Sequence, residues 1–143
     1  MPLGAMRYQP SASPGYMAKW FAKGITPQAL ARAPCLTFNA KDALQRRWIE
    51  QYFSTDITPP AHFIPSTQGF ADAAMAGLGW GMNPEGLIDS ALQSGRLVTL
   101  LADSPLDVAL TWQVSRIMAP ALAPLTRAVL GSAQHHLTPP QHA

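Results

Sequence analysis

Residues 61–84 read AHFIPSTQGFADAAMAGLGWGMNP, and they contain every kind of element the chain needs. A short apolar run, His62-Phe63-Ile64, has the length of a strand and is ended by Pro65. Ser66 and Thr67 are two candidate N-caps, since their side-chain oxygens can accept the unpaired N–H groups of a helix's first turn. Phe70, Ala73, Ala74 and Gly77 follow at spacings of three and four, the apolar stripe of a helix. In Gly77-Leu78-Gly79-Trp80-Gly81-Met82 glycines alternate with large apolar residues, which predicts a buried strand. Asn83-Pro84 then reads as a break that starts another helix. The stretch is thus strand, helix, glycine-rich strand, turn, helix: an α/β unit whose helix N-terminus a ligand can reach.

The same rules extend the pattern in both directions. Upstream, Leu3–Gln9 reads as extended and residues 10–14 (PSASP) as a turn. Ser13 caps a helix with Pro14 at its first position; Tyr16, Met17, Trp20 and Phe21 form its apolar face, and Gly24 ends it. Thr26-Pro27 opens a second short helix by the same rule, with Leu30 and Ala33 facing inward and Pro34 as its stop. Cys35-Leu36-Thr37-Phe38 predicts a buried strand. Asn39 turns the chain, and Asp42 caps a helix over 43–53 with Leu44, Trp48, Ile49, Tyr52 and Phe53 as its stripe. Arg46 and Glu50 form a favourable i,i+4 pair on its outer face. Downstream come a helix over 85–94 capped by Asn83 or Pro84 and closed by Gly95, then a strand over 96–101. Residues 106–116 alternate with a period of two, Leu106, Val108, Leu110, Trp112 and Val114 sharing one face. A last helix begins at Pro120 with Leu122, Leu125, Val129 and Leu130 buried, although Pro124 delays its start. From Gln134 onward a polar, proline-containing tail is expected to be disordered.

Composition narrows the function. The 143 residues are nearly half apolar, 13% charged and of net charge +2, which describes a globular domain and excludes a nucleic-acid-coating surface. One cysteine, Cys35, excludes an internal disulfide and a cysteine zinc site, and reads as a small hydrophobe in a buried strand. No apolar run approaches the ~20 residues of a membrane span. The N-terminus lacks the apolar core of a signal peptide, so a cytoplasmic location is expected. No phosphate loop, nucleophile elbow, HExxH or His/Asp/Glu set at catalytic spacing is present, so neither an enzyme nor a cofactor or metal site is expected. His135, His136 and His142 have no acids beside them.

Strands separated by helices predict a parallel or mixed sheet with helices on its faces. Such folds bind ligands beyond the C-terminal ends of strands, where loops lead into helix N-termini. Two loops meet that rule: Asn39, Ala40, Lys41 and Asp42 after CLTF, and Pro65, Ser66, Thr67 and Gln68 after HFI. Both place polar side chains beside exposed backbone N–H groups, which suits a carboxylate or other small anion. Taken singly, Ser66, Thr67 and Asp42 are each accounted for by capping alone.

Four blocks together, LGAMRYQPSASPGYMAKWF, APCLTFNAKDALQRRWI, HFIPSTQGFADAAMAGLGWGMNPEGLI and GRLVTLL with PLDVALTWQ, resemble the effector-binding region of LysR-type transcriptional regulators. More narrowly they resemble the ArgP type, arginine- and lysine-responsive regulators also described as chromosome replication initiation inhibitors. The similarity runs from about Pro2 to Leu130, and LTFNAKD, PSTQGFADAAMAGLGWGMNP and PLDVALTWQ are its most specific pieces. It implies a periplasmic-binding-protein-like (type 2) α/β fold of two lobes around an effector cleft. On that map residues 1–13 are a hinge strand and entry turn, and 14–101 the second lobe. Residues 102–133 return to an incomplete first lobe, and 134–143 form the tail. The resemblance also carries the effector loops onto Asn39, Ala40, Lys41 and Asp42 and onto Ser66, Thr67 and Gln68. An acid and a helix N-terminus would serve opposite ends of a basic amino acid, arginine or lysine; the charge of Lys41 opposes such a ligand.

The family pattern also includes a winged helix-turn-helix, a linker helix and the first part of the first lobe, which these residues do not match. DNA contact is therefore expected only through a domain outside this sequence. Apolar surface is expected around Leu110, Trp112, Leu122 and Val129, with association as a consequence. The function implied is effector sensing within a LysR-type regulator. The alternative is a solute-binding or dimerisation fragment with no sensing role, self-associating or pairing with an intact homologue.

Overall fold

The computed structural model of the chain describes residues 1–139. Its order is β1 (Pro2–Ala12), α1 (Pro14–Trp20), α2 (Pro27–Arg32), β2 (Cys35–Thr37), α3 (Leu44–Phe53), β3 (Ala61–Phe63), α4 (Thr67–Met75), β4 (Gly81–Pro84), α5 (Glu85–Gln93), β5 (Val98–Thr99), β6 (Leu106–Thr111) and α6 (Ala123–His136). The chain divides into two compact units, one of Tyr8–Leu106 and one of Met1–Arg7 with Asp107–Ala143.

In the Tyr8–Leu106 unit, β1 pairs antiparallel with β4 (Tyr8 opposite Pro84, Ser11 opposite Gly81) and with β5 (Ser11 opposite Thr99). β2 and β3 form a parallel pair, Thr37 opposite Phe63, and a parallel bridge from Cys35 to Trp80 leads toward β4. Antiparallel and parallel pairing therefore coexist, in two sheets where one parallel or mixed sheet was expected. Parallel pairing has a direct consequence: the loops after β2 and β3 leave at the same end. Two apolar clusters hold the unit. One surrounds Trp48 and Trp80, whose rings lie 5.4 Å apart, with Tyr16, Leu30, Ile49 and Leu106. The other joins Leu36, Phe70, Ile88 and Leu97. Each large apolar side chain fully buried there contributes roughly 1.5–3 kcal/mol.

Local rules account for the starts of α1, α2 and α4. The Ser13 hydroxyl accepts from Tyr16 N–H and the Thr26 hydroxyl from Ala29 N–H, with Pro14 and Pro27 in the first turns. Of the two candidates for α4, Ser66 is the cap, its Oγ accepting from Gly69 N–H at 3.1 Å, and Thr67 is the first helical residue.

Several elements depart from expectation. PSA of the expected turn over 10–14 belongs to β1, and the Pro10 carbonyl accepts from Leu100 N–H at 2.9 Å. α1 ends at Trp20, before Gly24, which adopts φ +98° in the following loop. Gly77 turns the chain at φ +83°, Leu78 is exposed, and the strand begins only at Gly81. Asn83 and Pro84 continue β4 because β1 pairs them, so α5 starts without a side-chain cap. The strand expected over 96–101 is confined to Val98–Thr99. Arg46 pairs with Asp56 at 2.9 Å, in place of the expected partner Glu50.

In the other unit, Met1 and Trp112 exchange main-chain hydrogen bonds of 2.9 and 2.8 Å, and Arg7 grips Asp107 through two bonds of 2.8 Å. β6 stops at Thr111, although half-burial still alternates through Leu110, Trp112 and Val114. α6 starts at Ala123, three residues beyond Pro120, with Pro124 in its first turn. It continues through His136, and Thr138 then bridges Ala5; helix therefore occupies the first part of the expected tail, whose residues 140–143 lie outside those described. Gly4, at φ +119°, permits that bridge, for a Cβ would stand 2.3 Å from the Thr138 carbonyl oxygen. Leu110, Trp112, Leu122 and Val129 are half-buried, and Trp112 Nε1 donates to Thr126 Oγ1 at 3.1 Å. The exposed apolar side chains of this unit include Ile117, Met118 and Leu125.

Candidate functional site

Two loops, one after β2 and one after β3, meet at a cavity of about 170 Å³ in the Tyr8–Leu106 unit. Asp42 from the first loop and Thr67, the first residue of α4 where the second loop ends, line it, with Tyr8, Phe38, Phe70 and Asn83. The backbone explains the meeting. β2 and β3 are parallel neighbours, so their following segments emerge together, and β1 brings Tyr8 and Asn83 to the same place by pairing with β4.

Asp42 is held by its own loop. One carboxylate oxygen accepts from Phe38 N–H at 2.9 Å and the other from Leu44 N–H at 3.1 Å. The second of these serves the start of α3, where Ala43 occupies the cap position and makes no side-chain cap bond. A carboxylate offers about four lone-pair sites, so Asp42 keeps accepting capacity for a ligand. Burial, and secondarily the charge of Asp42, raise the Tyr8 phenol above its ordinary value. The cavity thus presents a neutral phenol beside a fixed negative charge.

Asn83 adds a second acceptor. It is fully buried, and its Nδ2 donates to Ser11 Oγ at 3.0 Å. The Ser11 hydroxyl itself points to the main-chain oxygens of Gln9 and Gly81, 3.4 Å away, which fixes the amide's orientation. Asn83 Oδ1 is buried without a hydrogen-bond partner. A wall of carboxylate and phenol around apolar Phe38, Phe70 and Met82, with the buried Asn83 beside it, suits a cationic or N–H-bearing group on an aliphatic stem.

The remaining expected site residues lie elsewhere. Asn39 and Ala40 line a second cavity that also includes Asp42. Ser66, Lys41 and Gln68 are exposed and line neither cavity: Ser66 caps α4, the Lys41 N–H donates to Asn39 Oδ1, and Gln68 Nε2 donates to Asp72. Tyr8, Phe38 and Asn83 went unread because their place depends on strand pairing, and Asn83-Pro84 carries the local signature of a helix start.

Other chemistry finds little support. Burial in β2 pushes the Cys35 thiol up to about 12, so it stays protonated and unreactive at neutral pH. Among the described residues no group of three or more His, Cys, Asp or Glu is placed to hold a metal, and no helix is long and apolar enough to cross a membrane.

Comparison with known proteins gives one consistent result. The family model described as the LysR substrate binding domain matches residues 1–134. The HTH-type transcriptional regulator LysG of Mycobacterium tuberculosis is 44% identical over 132 residues, covering 92% of this chain and 43% of that protein. The crystal structure of ArgP from Mycobacterium tuberculosis superposes with a TM-score of 0.87 at 41% identity, covering 98% of this chain and 48% of that one. Full-length LysG from Corynebacterium glutamicum with bound effector Arg superposes with a TM-score of 0.80 at 32% identity, covering 97% and 46% respectively. The chain spans about half the length of the relatives it matches.

Proposed function

The chain belongs to the LysR substrate-binding domain family, a family of transcription regulators and not of enzymes, and on that premise we propose that it senses a basic amino acid. The observation that carries this reading is the joining of Asp42 and Thr67 in one cavity by two loops that parallel strands send out at the same end. The aliphatic stem of arginine or lysine packs against Phe38, Phe70 and Met82, and its cation is met by Asp42 and the free Asn83 Oδ1. Thr67, in the first turn of α4, serves a carboxylate through its hydroxyl and the adjoining N–H groups. The Arg-bound relative supports this choice of ligand.

On the same reading residues 14–101 are the second lobe of an effector domain, residues 1–13 its entry strand, and residues 102–133 its return. The loop positions Asn39, Ala40, Lys41, Ser66 and Gln68 are second-rank contacts, since they surround the cavity without lining it. At about 170 Å³ the cavity is smaller than the ~300–1,000 Å³ of a complete small-molecule site, as fits one wall of a cleft. DNA recognition and pairing with a second regulator belong to the whole protein and are proposed for it alone.

Calorimetric titration with arginine and lysine tests the reading, with ornithine and leucine as the shorter-stemmed and uncharged comparisons. Saturable binding of the basic amino acids, weakened about 10–100-fold by Asp42→Asn and by Thr67→Ala, is expected, the range of one charge-assisted hydrogen bond. A chain folded by circular dichroism that binds none of them would leave only the solute-binding or dimerisation alternative.

A further inference from the structure

Behind the Asn39–Asp42 loop lies a second cavity, of about 260 Å³, in the same Tyr8–Leu106 unit. Thr37 lines it while its neighbour Phe38 lines the first, as successive residues of an extended chain do. Asp42 lines both. Its wall is unusual in what it leaves unpaired. Gln45, only 2% exposed, has neither Nε2 nor Oε1 hydrogen-bonded, and Thr37, 9% exposed, has no partner for Oγ1. Buried polar atoms are costly without partners, and native interiors leave few of them. Here the two residues that carry all three atoms line one cavity.

The surroundings give the cavity a sign. The ten-residue helix α3 begins at its edge, Ala43, Gln45 and Arg46 all lining it; Asp42 takes the Leu44 N–H, and the cap residue Ala43 makes no side-chain bond. Helix N-termini attract negative charge. Arg46 adds a guanidinium whose one identified ion pair is to the exposed Asp56, and Asn39, whose Oδ1 accepts from the Lys41 N–H, adds an amide donor. The opposing charge is Asp42, both of whose oxygens are engaged by main-chain N–H groups. That carboxylate disfavours a dianion such as phosphate more than a monoanion.

We propose that this cavity is a second ligand site, taking the carboxylate end of a small hydroxy acid. The carboxylate receives hydrogen bonds from Gln45 Nε2 and the Thr37 hydroxyl beside the start of α3, and the ligand's own hydroxyl donates to Gln45 Oε1. Two donors and one acceptor are thereby all satisfied by one small molecule. The site does not depend on what fills the first cavity.

The probe is glycolate, titrated into the ¹⁵N-labelled full chain at constant ionic strength, with chloride as the comparison anion. A saturable shift of the Gln45 side-chain amide is expected, with the midpoint raised at least about tenfold in Thr37→Val, which removes one hydroxyl without changing volume. Gln45→Glu replaces the donor by a negative charge and removes that reporter, so it is read at the Thr37 main-chain amide, whose accompanying shift it abolishes; it serves as the second variant should Thr37→Val fail to fold. A shift that chloride reproduces, or a midpoint unchanged by both substitutions, would overturn the proposal. A high-resolution structure in glycolate showing only ordered water on the three atoms would do the same.

Discussion

At the scale of single residues, pairing sets the response to acid. Arg7 and Asp107 form a two-bond ion pair, and chiefly those hydrogen bonds lower the Asp107 carboxyl below its ordinary value near 3.8. A depressed folded-state value means the pair's contribution is fully present above the unfolded value and is lost as pH falls through the folded one. Urea denaturation of the wild type and Asp107→Asn should therefore show the wild type more stable at pH 6, with the gap closing below about pH 4. A gap that does not narrow at all as pH falls below about 4 would assign the difference to packing. Residue-level rules also explain what could be read in advance. Ser13, Thr26 and Ser66 cap helices because each needs only its own side chain and an N–H three residues on. Gln45 shows the limit: a polar residue on a helix reads as outward-facing, and only its neighbours reveal that it is buried.

Elements obey a different logic, because their borders depend on partners distant in sequence. Asn83-Pro84 looks locally like a helix start, yet β1 claims both residues for β4, and the same pairing brings Tyr8 and Asn83 to the cavity. The loops that carry Asp42 and Thr67 were legible because they follow strands of plain composition, whereas their convergence needed the parallel register of β2 and β3. The contact between α4 and β4 can be tested directly. A Cβ at Gly81 would stand 2.5 Å from Phe70 Cε1, and Phe70 belongs both to the core and to the wall of the first cavity. Gly81→Ala is thus expected to destabilise by about 1–3 kcal/mol through overpacking and to move the ring toward the ligand. The urea midpoint should fall with an unchanged slope, and arginine binding should weaken more than stability alone explains. A variant with normal stability and normal binding would show that the ring has room to give.

For the whole molecule, the decisive feature is the path of the chain. Tyr8–Leu106 is a single uninterrupted run and holds both cavities, whereas the other unit is assembled from the first seven residues and those after Leu106. Residues 1–7 and the residues after 106 are therefore, in structural terms, one address. Trimming either stretch strikes the same unit: loss of Met1–Arg7 takes Met1 from Trp112, Arg7 from Asp107 and Ala5 from Thr138, and loss of the residues after 106 breaks the same three contacts from the other side. The two truncations should resemble each other more than either resembles any internal deletion. In ¹⁵N spectra each should leave the signals of Trp48, Gln45 and Thr67 in place, and damaging substitutions in residues 1–7 and in those after 106 would share one phenotype.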